Sequence, residues 1–413
     1  MSLPAIIICA SHSFKDPLFN GLMYQYILNH QQQHPGKYRY HFITEEQAAY
    51  ALDPSEISKL QAELQIQNLF WHPMPYRGGK FILFKKLWNF VALFFKLWGI
   101  KRKEKAKVII GFLAIAGGYA YIISRFLNLK LMVFCFEPHS LYMKEFGIWS
   151  DKSLKYKLLN KIEYLQATRA DYVTGPTIHT INLLKKWNSK AQLFRVPISV
   201  DTQKFSYLEK DRQRIRKQYK IGEERYAMLY LGKFNGIYYD TKEVAKFCKK
   251  LVDFDPRIFI FTITPTPSEE VTKAYEAAGL SSEDFLVLNK IPYEEIEAYI
   301  SACDMGVVAI PPLNSQKYRT PVKIGNYLSC GIPFLLNRGI ADDDIMAEEE
   351  QVGVVFESLT AKDFSVPFAT LKRFMQEDRT RLRTRCRAAA IKHRGIQNST
   401  DILNTVINEC YTL

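Results

Sequence analysis

The chain has 413 residues, 47% of them hydrophobic and 14% aromatic, which is too apolar for a disordered polypeptide. That length exceeds what one core normally serves, so two domains of roughly 200 residues are expected. A formal net charge of +14 argues for an anionic partner, which could be nucleic acid, a membrane surface or a phosphorylated substrate. The seven cysteines stand singly in apolar stretches, which excludes a disulfide scaffold and a thiolate metal site and suggests free thiols in a reducing compartment.

The first segment, MSLPAIIICASHSF, has no basic leader and reads as a first β-strand, so the protein is expected to stay in the cytoplasm. Strands are expected at 4–10, 38–43, 68–73, 107–112, 130–136 and 171–176, separated by segments of helical period. Within 13–27 a turn and helix start is expected at Asn20-Gly21, at the carboxyl edge of the first strand. The stretch 81–107, FILFKKLWNFVALFFKLWGIKRKEKAK, places Lys85, Asn89, Lys96 and Lys103 on one narrow helical stripe and leaves a wide face of Phe, Leu and Trp. Each polar group at mid-bilayer would cost about 2–3 kcal/mol, so spanning is disfavoured. Two readings stay open: a helix in the headgroup layer, its trailing KRKEKAK drawn to anionic lipid, or an ordinary covering helix of the first sheet.

A strand-like exit at 194–205 precedes a charged helix-forming segment, placing a domain boundary near residue 200. The second half repeats the alternation, with strands expected at 226–232, 257–263, 285–290, 305–310, 333–338 and 352–356. The fold class is therefore α/β, with two doubly wound, Rossmann-like domains, 1–200 and 201–395. A final helical segment, 396–413, is expected to cross back onto the first domain.

Open α/β sheets bind ligands at the carboxyl ends of their strands, so strand-end residues carry the functional reading. In the second half these include Gly232-Lys233, Ile291-Pro292-Tyr293, the loop PPLNSQKYRTPVK and Asn337-Arg338-Gly339. Lys233, Lys317, Arg319 and Lys323 would meet beside a helix that Pro321 begins, where free N–H groups and the helix dipole favour an anion such as a diphosphate. Any one of these lysines taken alone reads equally well as a solvated loop charge. In the first half, CFEPHSLYMKEFG (135–147) puts Glu137 and His139 after a strand, the histidine either as an acid, base or hydroxyl contact or as a plain polar loop residue. No GxxxxGK[ST] loop, HExxH motif or metal-spaced His/Cys set is present. ADDDI (341–345) reads as the first turn of a helix.

These residues resemble the family 4 glycosyltransferases of the GT-B fold. The resemblance is strongest at IPYEEIEAYISACDMGVVAI (291–310) and at TPVKIGNYLSCGIPFLLN (320–337), which is similar to a Pro-x-Lys-x-x-Glu-Tyr-Leu-Ala-x-Gly-x-Pro motif. Glu163 with RADYV, and VPISVDTQKF, also match the family's habits at the end of the first domain. The resemblance implies two Rossmann-like domains facing each other across a cleft. It also implies hexosyl transfer from a nucleotide-diphosphate sugar of UDP or GDP type, with retention and without metal or other cofactor. It implies catalytic roles for His139, Lys233 and Lys323, and donor contacts from Gly232, Arg319, Asn326, Tyr327, Pro292 and Tyr293. Asn20, Gly21 and Glu137 would serve the acceptor or the sugar. Asn326 replaces the motif's glutamate, and Tyr318 stands where many members keep a second one.

Three functions follow as expectations. The first is a glycosyltransferase building a cell-surface glycan or acting on a lipid-linked acceptor, peripheral at the inner membrane face through 81–107. The second is a catalytically silent GT-B scaffold or membrane-associated binding protein. The third, a nucleic-acid binder, finds no recognisable motif and is not expected.

Overall fold

Short runs of β-branched and aromatic residues pair as parallel strands because helix-forming segments of sufficient length separate them and return the chain to the same edge. The computed structural model describes residues 3–77, 82–236, 238–289 and 291–411. The chain forms two units, 1–197 joined by 396–413, and 198–395.

In the first unit the elements are β1 (Ala5–Ala10), α1 (Tyr24–Gln33), β2 (Arg39–Glu46), α2 (Pro54–Ile66), β3 (Leu69–Pro75), α3 (Ile82–Glu104), β4 (Val108–Phe112), α4 (Leu113–Leu127), β5 (Lys130–Phe134), α5 (His139–Glu145), α6 (Leu154–Arg169), β6 (Tyr172–Gly175), α7 (Ile178–Lys186) and β7 (Gln192–Arg195). They build a seven-stranded parallel sheet in the order β3-β2-β1-β4-β5-β6-β7. Ile8 pairs with Phe42 on one side and Ile110 on the other, so β1 is wholly buried. α2 shows why these helices start where they do: Asp53 caps Ser55 and Glu56 N–H groups, Glu56 reciprocates, and Pro54 occupies the first helical position.

The second unit comprises α8 (Glu209–Gln218), β8 (Tyr226–Leu231), α9 (Thr241–Phe254), β9 (Ile258–Thr264), α10 (Ser268–Ala277), β10 (Phe285–Asn289), α11 (Ile296–Ser301), β11 (Met305–Val308), α12 (Val322–Ser329), β12 (Phe334–Asn337), α13 (Asp343–Glu349), β13 (Gly353–Phe356), α14 (Ser365–Gln376) and α15 (Arg379–Arg394). Its six-stranded parallel sheet runs β10-β9-β8-β11-β12-β13. The last helix, α16 (Ile396–Tyr411), belongs to the first unit, where Asn29 Nδ2 donates to Thr400 Oγ1 at 2.8 Å and Tyr411 donates to the Ala5 carbonyl at 2.6 Å.

Two local expectations need correction. Asn20 and Gly21 do not open a helix: they sit inside a π-helical turn, Phe19–Met23, that continues into α1. The start signal lies upstream at Asp16-Pro17, where the Asp16 carboxylate accepts the Leu18 N–H at 2.8 Å. The acidic run at 341–345 does begin a helix, but its carboxylates reach elsewhere. Asp343 pairs with buried Arg394, and Asp344 accepts the Gly339 N–H at 3.1 Å.

α3 covers the first sheet in an unusual orientation. Leu93, Leu97 and Ile100 face the core, and part of the polar stripe turns the same way: Asn89 is buried and donates to the Pro75 carbonyl at 3.0 Å, while Lys103 is exposed; Glu104 is buried against Arg39 at 2.6 Å. Lys96 is half-buried near His72, and its desolvation lowers its pKa. Beneath lie His41 and His72, stacked with Nδ1 and Nε2 3.1 Å apart; burial first, then neighbouring cations, pushes them down to about 3 and about 4, so both are neutral. Phe84, Leu87, Trp88, Val91, Phe95 and Trp98 point away, with exposures from 40% at Val91 to 74% at Phe84. Among the described residues no helix is long and apolar enough to cross a membrane.

Candidate functional site

In a doubly wound sheet the crevice opens where strand order reverses. In the second unit that point lies between β8 and β11. Gly232 follows β8, and β11 leads through a turn at Asn314–Tyr318 into α12. Pro321 is the N-cap residue of α12, as its fixed φ favours, and Gly331 lies just past the helix end with φ +73°.

Gly232 and Lys323 meet at this point. Gly232 has φ +150°, which favours glycine, and a Cβ there would lie 2.9 Å from Lys323 Nζ, so the ammonium sits directly against this turn. The Lys323 ammonium sits 5.7 Å from the centre of the Tyr230 ring. Burial pushes its pKa down to about 8, and among the described residues no carboxylate pairs with it. A half-buried ammonium at a switch point beside a helix N-terminus is a ready binding group for a phosphate. Asn326, one turn along α12, is buried, and its Oδ1 has no hydrogen-bond partner among the described residues. A buried acceptor of this kind is satisfied by a ligand hydroxyl or a water.

The other expected donor residues divide. Lys233 is exposed beside Gly232, its carbonyl accepting from Tyr230 at 3.0 Å. Lys317 and Arg319 are half-buried, with the Lys317 ammonium 5.3 Å from the Tyr318 ring centre. Pro292 is exposed, and the side chain of Tyr293 lies outside the described residues. Tyr327 is not a donor contact: it is fully buried, its ring lies against Gly306 of β11 and its hydroxyl donates to the Leu229 carbonyl at 3.4 Å. It supports the site from behind. Arg338 is held by Glu348 at 2.8 Å and Glu357 at 3.0 Å, which makes it a structural cation.

In the first unit, Cys135 follows β5 with φ +59°, a costly conformation for a side-chain-bearing residue, and its N–H donates to Thr174 Oγ1 at 2.7 Å. This turn delivers half-buried Glu137 and His139. Glu163, fully buried on α6, accepts the Ser140 N–H at 3.0 Å and the Ser140 hydroxyl, and so clamps the start of α5 behind His139. Burial pushes the Glu163 carboxyl up to about 7, against the opposing pull of the Ser140 donors. The His139 ring lies 5.9 Å from Tyr142 and 6.2 Å from Trp149.

Sequence reasoning missed His12. It follows β1 at the point where the first sheet reverses order, half-buried, its ring 6.2 Å from Phe112 and its Nδ1 without a partner among the described residues. Burial lowers its pKa, with Asp16 opposing. The same strand-end rule that selected His139 would have found it. Among the described residues no group of three or more His, Cys, Asp or Glu is placed to hold a metal ion. Among the described residues no cysteine is in a disulfide, and all seven but Cys410 are buried.

No family model matches the chain, and no curated protein matches it. Solved structures do. Sucrose-phosphate synthase from Thermosynechococcus elongatus is similar with a TM-score of 0.69 at 15% identity, covering 99% of each chain. HepE from Anabaena, in complex with UDP-glucose, gives 0.69 at 12% identity, covering 97% of this chain and 99% of that one. A glycosyltransferase from Rickettsia africae gives 0.68 at 10%, covering 100% and 99%. With the two parallel sheets described above, these likenesses establish the architecture: the chain has the two-Rossmann-domain GT-B fold.

Proposed function

We propose that the protein is a glycosyltransferase that moves a hexosyl group from a nucleoside-diphosphate sugar of UDP or GDP type to a glycan or lipid-linked acceptor. The observation that carries this is the meeting of Gly232 and Lys323 at the switch point of the second sheet. The GT-B fold and the UDP-glucose bound by HepE support it. In this reading Lys323, with Lys233 and Arg319, offsets the charge that grows on the leaving diphosphate, and the α12 N-terminus adds its dipole. Asn326 takes a ribose hydroxyl at its unsatisfied oxygen. His139, on its clamped turn, is assigned to the transferred sugar, and Glu137, Asn20 and Gly21 to the acceptor side. The acceptor hydroxyl attacks on the face the diphosphate leaves, with retention, and no metal or further cofactor is assigned.

The acceptor is placed at an anionic membrane surface, at the cytoplasmic inner face, with α3 as the contact. The outward aromatic stripe of α3 supports this, since it covers nothing in the first unit. A second reading, donor binding without turnover, is favoured by one observation: Asn326 and Tyr318 stand where the resemblance expects carboxylates. A thermal-shift panel of UDP, GDP, ADP, CMP and their sugar conjugates tests both. Stabilisation by one nucleoside diphosphate, lost in Lys323→Ala, supports the donor site, and sugar transfer to an acceptor then separates enzyme from silent binder. No shift with any nucleotide overturns the donor assignment.

A further inference from the structure

α3, α4 and α6 carry the successive crossovers β3 to β4, β4 to β5 and β5 to β6, so right-handed connections place them side by side on one face of the first sheet. α3 packs on α4, and α4 on α6. α6 buries Glu163, Gln166 and Ala167, while Leu154, Leu158 and Lys161 stand on the opposite side of the helix. Leu154 is 70% exposed and Leu158 52%, although ordinary burial would favour both inside. Lys155 and Lys157 flank them, also exposed. Between α6 and α3, exposed Phe126 at the end of α4 meets Phe94 of α3 edge-on at 6.1 Å.

The charge pattern names the partner. The only carboxylates on these three helices are Glu104 and Glu163, and both are buried. What faces outward is apolar or cationic, with Arg102 lying over Trp98 at 5.1 Å and Arg125 over Tyr121 at 5.5 Å. A second copy of a chain of net charge +14 would repel such a face. Exposed Trp88, Phe95 and Trp98 could stack on bases, but Leu87, Val91, Leu154 and Leu158 among them offer a base no ring, whereas a lipid layer takes both kinds of side chain. A bilayer with anionic headgroups satisfies both features at once.

We propose that α6 is a second lipid-contacting element. Leu154 and Leu158 enter the headgroup layer alongside the aromatic stripe of α3, and Lys155, Lys157 and Lys161 pair with anionic headgroups. Two separated contacts fix the rotation of the first unit about the α3 axis, which one helix alone leaves free. This deepens the membrane part of the proposed function and is independent of the donor.

The test is co-sedimentation of the purified full chain with phosphatidylcholine vesicles, with and without phosphatidylglycerol. The wild type is expected to sediment with the anionic vesicles only. Leu154→Glu with Leu158→Glu lowers the bound fraction about tenfold or more, and Lys155→Glu with Lys161→Glu lowers it about fivefold per lysine. A far-UV spectrum and a melting temperature like those of the wild type show that the variants fold. Wild-type binding by the α6 variants, while Leu87→Glu with Phe95→Glu abolishes it, overturns the inference in favour of a single helix. Retention on single-stranded RNA with no vesicle binding overturns it in favour of nucleic acid. A failed UDP thermal shift removes the donor reading and leaves the vesicle result standing.

Discussion

α9 and α3 both cover a parallel sheet, and they do it in opposite senses. α9 buries Val244, Phe247, Cys248 and Leu251 and sends Lys242 and Lys246 to solvent. α3 turns Asn89 toward the Pro75 carbonyl and Lys96 toward neutral His72, and its aromatics outward. Burying a large aliphatic or aromatic side chain stabilises by about 1.5–3 kcal/mol. α9 collects that from its own sheet; α3 leaves much of it uncollected. That exposed apolar surface on α3 is the observation on which the membrane proposal rests.

Substitutions sharpen the contrast in decreasing order of effect. Val244→Asp on α9 puts an unpaired carboxylate in the core of the second unit and should cost more than about 3 kcal/mol, read as loss of the native denaturation transition. Lys323→Ala should lower donor turnover about a hundredfold with an unchanged melting temperature, by analogy with removing one group aimed at developing charge; full activity would free Lys323 from the site. Glu163→Gln keeps the shape of the clamp but sets an amide N–H against the donors of Ser140, and a loss of about 1–3 kcal/mol is expected in denaturant unfolding.

Two pH effects come next. Lys323 has its pKa lowered to about 8, so the ammonium that favours a diphosphate is full below that pH and is lost above it. Donor affinity should therefore be level below about pH 8 and fall up to about tenfold per unit above; a flat titration calorimetry profile from neutral to alkaline pH contradicts the contact. Glu163 has its pKa raised by burial to about 7 from the ordinary carboxyl value of 4.5, so the native state holds the extra proton between those values. Stability from this group is present at the acid end and declines as pH rises through that window. Wild-type stability should show that slope and Glu163→Gln should lack it. The smallest effect belongs to α3: Phe95→Asp should change folding stability by less than about 0.5 kcal/mol. A large loss there would show that the outward face supports the fold, and the comparison with α9 would collapse.

Strand positions were legible because β-branched and aromatic runs such as Ile6-Ile7-Ile8 and Phe259-Ile260-Phe261 have one stable use, buried between two neighbours. β7 was read late, at 194 in place of 192, because that strand is short and half-exposed, so little burial marks it. Lys323 was legible because Pro321 and Gly331 punctuate its helix. Tyr327 was misassigned because motif resemblance orders residues along a helix without saying which face each takes, and a Tyr packed on Gly306 faces the core. His12 was passed over, and Asn20-Gly21 was read as a turn, since a π-turn has no sequence mark as strong as Asp16-Pro17.

The sequence by itself determined the α/β alternation, the two sheets and the cations that follow the strands of the second, because these depend on local period and on the rule that ligands sit at strand ends. Only the tertiary structure decided which way α3 rolls. Its helical period defines two faces, and both contain groups a sheet can accept. The neutral His41–His72 pair and the Pro75 carbonyl took Asn89 and the edge of Lys96 inward, and the aromatics were left outside.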